Sequence, residues 1–367
     1  MSWGMQEPWV AYYAEHVDAL RGAVERILAE HALDGVWIYA GDPHKKSEFD
    51  DQDWPLCPTP HFQHFTPLRW PGSAIFIVPG APAKLVRVAT SSFWEAAPAA
   101  LADAYFAPFD VIDVKGAPEA PTVAREHAPR GRVAFIGATE ATAQHWGAHV
   151  HNPPDLLARL DQVRTRKSAY EQACLAEANR RAAKGHLALA EAYAGGDASE
   201  LELHLLYLRA TEQDDAQTPY KNIVAKGRHA ATLHHVDYAR ESAPAPSLLV
   251  DAGATCNGYH SDITRTWVKG EGAAAQGFRE LIRRVEALQQ EMCRRAVPGV
   301  PYEDLHDQAH ELLAPVLRDV GLARGSDEEL IARGVTRKFF PHGLGHALGV
   351  QTHDVGCRVD DPRPENA

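Results

Sequence analysis

Cysteine is scarce and unpatterned. The 367 residues hold 5 cysteines, at positions 57, 174, 256, 293 and 357, and no Cys-x-x-Cys pair. An odd, scattered set argues against a disulfide framework and fits a reducing compartment. Long apolar runs are also lacking. No stretch approaches the ~18 consecutive apolar residues that a membrane span needs, so no membrane partner is expected. A basic surplus is missing too: 37 Lys and Arg stand against 49 Asp and Glu, a net charge of -12. That balance disfavours nucleic acid as a partner. The opening residues MSWGMQEPWVAYYAEH lack a basic segment followed by an apolar one. They are not expected to act as a signal peptide, and the expected location is cytoplasmic. What is present suffices for real cores, with 45% apolar residues in a length that favours two domains.

The chain is organised around LLVDAGATCNGYHSDITRTW, residues 248–267. An apolar run ends in Asp251, Asn257-Gly258 follows, and a second strand-like run carries Asp262. Asn-Gly between two such runs predicts a hairpin with a type I′ turn. A turn symmetric about that pair sets Gly253 opposite Asp262 and Thr264 opposite Asp251. Opposed residues share a face, as do residues two apart on one strand, so both carboxylates fall on one face, diagonally placed. Like charges that close raise each other's pKa and are costly to bury, and a cation between them removes the cost. Oxygen donors favour a hard or borderline divalent ion. The plainer reading is a pair of solvated aspartates beside a turn. Against it, Asp251 follows Leu248-Leu249-Val250, where a strand should be entering a core.

Nitrogen ligands can come from FFPHGLGHALGVQTHD, with His342, His346 and His353. His342 and His346 are four apart, but Gly343, Gly345 and Gly349 argue for irregular backbone and not a helix. Together, VDAGATCNGYHSDITRTW and FPHGLGHALGVQTHD resemble the Xaa-Pro dipeptidases (prolidases) of the pita-bread metallopeptidase family. The bacterial branch that includes the organophosphorus acid anhydrolases is most similar.

The resemblance implies an α/β N-terminal domain over 1–152 and an α+β pita-bread (creatinase/aminopeptidase-like) catalytic domain over 153–367, with Asn152-Pro153-Pro154 at the boundary. It implies a homodimer and hydrolysis of Xaa-Pro dipeptides by a metal-activated hydroxide that attacks the scissile carbonyl. A side activity on organophosphorus triesters needs no different residues. The expected metal ligands are Asp251, Asp262 and His346, holding Mn²⁺ by preference, two per subunit in a full site, with Zn²⁺ or Co²⁺ as alternatives. His234, His342 and His353 match histidines that contact substrate or stabilise developing charge. His235 falls where relatives often carry an aromatic. Tyr220, Leu233 and Tyr302 match pocket positions, for which core packing is the blander account. Asp51, in the proline- and aromatic-rich loop 49–71, and Trp94 match segments that shape the pocket; a plain surface loop is the alternative.

The family completes its centre with two glutamates on strands after the histidine run, and the tail GCRVDDPRPENA carries no such strands. The catalytic domain is therefore expected to be C-terminally incomplete. The alternative function is an impaired or inactive truncated relative that serves as a peptide-binding or purely structural dimer. A methionine or proline aminopeptidase would use the same ligands, but His342 and the acidic aromatic loop at 50–55 argue against it.

Secondary structure follows from periodicity. Residues 17–33 predict an amphipathic helix ended by Gly35, then a strand at 36–39, with further strands at 74–78, 85–88, 111–114 and 133–136. A long helix from Ser168 is expected to break at Gly185. Asp197 is expected to cap the next helix, with Glu200 closing a capping box. Residues 218–238 are expected to form strand, loop and strand, and helices are expected at 277–295 and 302–317.

Overall fold

The apolar stripe Val17, Leu20, Val24, Ile27 and Leu28 forms the buried face of α1 (Val10–Glu30), as its helical spacing requires. The computed structural model describes residues 9–88, 93 and 103–355. The helix ends earlier than expected: Ala32 takes the left-handed conformation (φ 51°), and Gly35 instead opens strand β1 (Gly35–Tyr39). A Cβ on Gly35 would lie 3.2 Å from the Ile77 carbonyl, so this glycine serves close strand packing.

The described parts of Met1–Arg180, Thr255–Ser261 and Ala347–Ala367 form one compact unit, and Arg181–Ala254 with Asp262–His346 form a second. In the first, α2 (Pro60–Phe65), β2 (Ala74–Ile77), β3 (Lys84–Val88), β4 (Asp110–Val114), α3 (Ala120–His127), β5 (Val133–Ile136), α4 (Glu140–His145), β6 (Val150–His151) and α5 (Pro154–Thr165) follow β1. The strands make one mixed sheet in the order β4-β3-β2-β1-β5-β6. Alternation along β1 divides its side chains between two cores. Val36 and Ile38 join α1 and α5 on one face, while Trp37 and Tyr39 join Phe76, Phe135 and Trp146 on the other. Trp37 stacks on Phe76 with ring centroids 3.8 Å apart, and Trp146 meets it edge-on at 5.2 Å. Helices on both faces of a mixed sheet are the α/β layer expected from the helix-then-strand pattern.

A polar knot is buried in this unit. The His64 carbonyl can only accept, so His16 donates from Nε2 to it at 2.7 Å, and its Nδ1 lies 2.8 Å from the Ser168 hydroxyl. Burial, with the neighbouring His64 adding to it, pushes His16 down to about 4. A depressed basic group favours the folded state fully above its unfolded value of about 6.5, and that contribution is lost as pH falls towards 4. The urea midpoint is therefore expected to drop on acidification between roughly pH 6.5 and 4, and His16→Gln is expected to flatten that part of the profile. An equal slope in both proteins would remove His16 as the cause.

Helix α6 (Ala169–Gly195) carries residues of both units. It is not interrupted at Gly185, because that glycine serves packing: a Cβ there would lie 2.4 Å from the Tyr207 ring. Next come α7 (Glu200–Thr211), β7 (Ile223–Lys226) and β8 (Ser247–Asp251) of the second unit. The chain then supplies β9 (Thr255–Cys256) and β10 (Tyr259–His260) to the first unit and β11 (Thr264–Val268) to the second. The second unit continues with α8 (Ala273–Arg295), α9 (Tyr302–Asp319), α10 (Asp327–Ala332) and α11 (Val335–Phe339). Its sheet runs β11-β8-β7, all antiparallel. Leu248, Val250 and Ala252 pack with Leu189, Tyr193, Leu203 and Tyr207 of α6 and α7.

Two local expectations fail here. The cap of α7 is Ser199 with Glu202, not Asp197 with Glu200: Glu202 N–H donates to Ser199 Oγ at 3.2 Å, and Ser199 N–H donates to Glu202 Oε2 at 2.7 Å. After β7, residues 227–231 form a short 3-10 turn, and no second strand follows before β8. Both corrections involve Glu200.

Candidate metal centre

The type I′ turn is as expected, with φ of 50° at Asn257 and 85° at Gly258. Tyr259 pairs with Cys256 at the tip, and Thr264 pairs with Asp251 in the second unit's ladder. Asp251 follows Val250 on the strand and so turns to the face opposite the helix-packed core. Asp262 lies two residues before Thr264, on that same face.

The Tyr220 hydroxyl joins the two carboxylates, lying 2.6 Å from Asp251 Oδ1 and 2.9 Å from Asp262 Oδ1. A phenol has one hydrogen to offer and these oxygens need two charges offset. Burial raises the Asp251 carboxyl above its ordinary value, hydrogen bonds from Tyr220 and Thr264 oppose the rise, and the charge of Asp262 adds to it. Burial and the same two carboxylates push the Tyr220 phenol far up, so it keeps its proton. His346 completes the group, with Nε2 3.3 Å from Asp262 Oδ2. Two half-buried carboxylates short of positive charge, with an imidazole nitrogen beside one of them, fit a divalent cation by charge and by donor type.

Other expected site residues lie around the second unit's irregular segments. Leu233 and His234 sit in an exposed turn, with Leu233 63% exposed. Tyr302 opens α9 and is 47% exposed, its hydroxyl 2.7 Å from where a Cβ on Gly345 would stand. His342 is exposed, donates from Nδ1 to the Gly343 carbonyl at 2.9 Å, and meets the Phe340 ring edge-on at 4.9 Å. The backbone from 340 to 346 is irregular, as the glycines imply.

His353 and Asp51 belong to the first unit. His353 precedes Asp354, whose buried carboxylate accepts hydrogen bonds from Arg164 and from Lys167 Nζ (2.7 Å). A Cβ on Gly349 would collide with that carboxylate. Asp51 is exposed and accepts from Gln52 Nε2 at 3.2 Å. Its loop is folded on itself through Trp54 N–H to the His44 carbonyl (2.7 Å) and Lys46 N–H to that of Gln52 (2.8 Å). Trp94 lies outside the described residues.

The Asp354 ion cluster and the hydrogen bonds of Glu200 escaped sequence reasoning. Their members are far apart in the chain, and no local period announces them.

The comparisons place the chain among the pita-bread metallopeptidases. The chain belongs to Metallopeptidase family M24, which it matches over residues 173–366, and residues 11–162 match the Xaa-Pro dipeptidase N-terminal domain. It is 37% identical to the Xaa-Pro dipeptidase of Shewanella woodyi over 359 residues, 96% of this chain and 79% of that one. It is likewise 37% identical to the Xaa-Pro dipeptidase of Marinobacter nauticus over 366 residues, 96% of this chain and 80% of that one. Aminopeptidase P from E. coli in its low-pH form superposes with a TM-score of 0.76 at 20% identity, covering 94% of this chain and 82% of that one. Proline aminopeptidase P II from Yersinia pestis does so with a TM-score of 0.73 at 21% identity, covering 94% and 83%. A zinc-substituted form of the E. coli enzyme superposes equally, at 0.73, with 20% identity and coverage of 94% and 82%. No helix among the described residues is long and apolar enough to cross a membrane.

Proposed function

We propose that this protein is a metal-dependent Xaa-Pro dipeptidase. The observation that carries the reading is the Asp251–Tyr220–Asp262 group with His346 against it, a donor set that lacks positive charge. Asp251, Asp262 and His346 are the residues that would hold the ion. When bound, a divalent ion there supplies Lewis acidity towards the scissile carbonyl and lowers the pKa of water.

The remaining steps belong to the chain's own side chains. The Tyr220 hydroxyl, which donates towards Asp251 and Asp262, stands as a donor at the wall of the site. His234 and His353 are assigned to the substrate by resemblance, as donors to the oxygen on which charge develops. Proline leaves as a secondary amine and must gain a proton at nitrogen. An imidazole is the usual side chain for such a transfer, and His234, His342 and His353 are its candidates here by resemblance. Leu233 and Tyr302 offer exposed apolar surface suited to a proline ring.

Mn²⁺ is the ion we favour, on the ground that most donors are oxygens. A division near residue 152, a homodimer and a cytoplasmic location are further parts of this reading. The dimer is supported by residues 49–54, which display Phe49 at 97% and Trp54 at 59% exposure; the rest of the segment expected as a loop contains α2 and is largely buried.

The test is hydrolysis of Ala-Pro by the chain dialysed against Mn²⁺, with Ala-Ala, Pro-Ala and the tripeptide Ala-Pro-Ala as comparisons. Metal-dependent turnover of Ala-Pro above the others is expected. Cleavage of the tripeptide in preference would make the protein an aminopeptidase. A metal-loaded chain that turns over none of them would overturn the reading.

A further inference from the structure

One carboxylate organises the segment that presents His234. Glu200 opens α7 and is fully buried. Its Oε1 accepts from Lys226 N–H at 2.7 Å and from His229 Nδ1 at 2.8 Å. Its Oε2 accepts from Ala239 N–H at 2.8 Å and from His235 Nε2 at 2.9 Å. A carboxylate can only accept here, so both imidazoles donate, and four donors fill the ~4 lone-pair positions it has. Burial by itself would raise this carboxyl; the amides of Ala239 and Lys226 and the two imidazoles outweigh it and hold Glu200 at about 2, ionised throughout the working range.

All four donors lie on one stretch of chain. Lys226 ends β7 and Ala239 lies beyond the turn, so Glu200 grips both ends and two points between. Beyond Lys226 the stretch has a single 3-10 turn, and no strand ladder holds it. The His229 and His235 rings stack with centroids 4.6 Å apart, tilted by 28°, which keeps the two middle points together. Between them, Leu233 and His234 form the exposed turn. His235 is adjacent to His234, so its anchoring fixes the backbone from which His234 projects.

We infer that Glu200, acting through His229 and His235, is a positioning residue that sets where the His234 imidazole stands for the reaction. The inference rests on the dipeptidase reading for the task of His234. It needs only the hydrogen bonds above for the tether itself. Donor, backbone and imidazole form a short chain of contacts, and misplacement of a substrate-contacting group by about 1 Å can cost ~100-fold in rate.

The experiment is a double-mutant cycle in the full chain loaded with Mn²⁺, using His235→Phe, His234→Ala and the pair. His235→Phe is expected to lower kcat for Ala-Pro by about 10- to 100-fold, with KM changed less than about twofold and metal content unaltered. In the His234→Ala background the same change is expected to cost less than about twofold, because the group being positioned is gone. His235→Gln, which keeps an N–H donor, is expected to recover most of the loss. Equal costs in both backgrounds, or no loss from His235→Phe, would overturn the inference.

Hydrogen exchange separates this from the reading it rests on. His235→Phe is expected to speed amide exchange in 227–239 and leave β7, β8 and α7 protected, whereas His234→Ala changes nothing there. If the wild-type chain turns over no dipeptide but exchange responds in this way, the tether stands and the dipeptidase reading fails. Unchanged exchange in His235→Phe removes the tether.

Discussion

Asp262→Ala is expected to leave a folded protein that no longer retains a divalent ion and has lost turnover by at least ~1000-fold. Asp262 is the member that meets both sides of the group: it shares the Tyr220 proton with Asp251, and its second oxygen lies 3.3 Å from His346 Nε2. Its removal leaves a carboxylate and an imidazole with nothing between them to draw an ion. Lewis-acid assistance is worth several kcal/mol at the transition state, and each ~1.4 kcal/mol is tenfold in rate, which gives the stated loss. Folding should survive, because deletion of one of two like charges relieves the repulsion that adds to burial in raising Asp251. Elemental analysis after dialysis against Mn²⁺, with circular dichroism as the check on folding, decides the matter. Unchanged metal content in a folded variant would mean that the ion is held elsewhere.

Gly258→Val should be the most damaging single change in the hairpin. Gly258 sits at φ 85°, where a β-branched residue is strained, and a Cβ there would lie 2.1 Å from Gln63 Nε2. Backbone strain of ~1–3 kcal/mol and overpacking of ~1–3 kcal/mol act together, giving a loss of roughly 2–6 kcal/mol. Gln63 is itself buried and has little room to retreat. Chemical denaturation followed by tryptophan fluorescence should show the lower midpoint, and Gly258→Asn, which tolerates positive φ better, should lose less. Equal losses for the two would make the collision, and not the backbone, the whole effect.

The hairpin was legible because its rules are local. A turn of two residues with positive φ requires Asn-Gly or its equivalents, and once the turn is placed, the pairing of Thr264 with Asp251 follows from counting. The shared face of Asp251 and Asp262 follows from the same alternation. Strand and helix periods located α1, five of the six strands of the first sheet, α8 and α9 for the same reason, while the two-residue β6 was too short to show a period. Local rules failed where two local solutions competed. Both Asp197 and Ser199 can cap α7 by sequence. Ser199 won: its partner Glu202 closes the box, which leaves Glu200 to accept four hydrogen bonds from 226–239. Gly185 misled in the opposite sense, since a glycine that reads as a break in isolation is here the place where Tyr207 packs against a continuous helix.

By itself, then, the amino-acid order determined the family, the hairpin and its two aspartates, and a histidine run without helical backbone. These depend on spacings of a few residues, over which backbone geometry transmits side-chain direction almost without choice. Tertiary structure alone decided that Tyr220 stands between Asp251 and Asp262 and that Glu200 ties down the segment bearing His234. Each of these joins residues tens of positions apart. Such contacts form only when burial has closed the intervening loops, and a buried carboxylate then takes whichever donors the packing delivers to it.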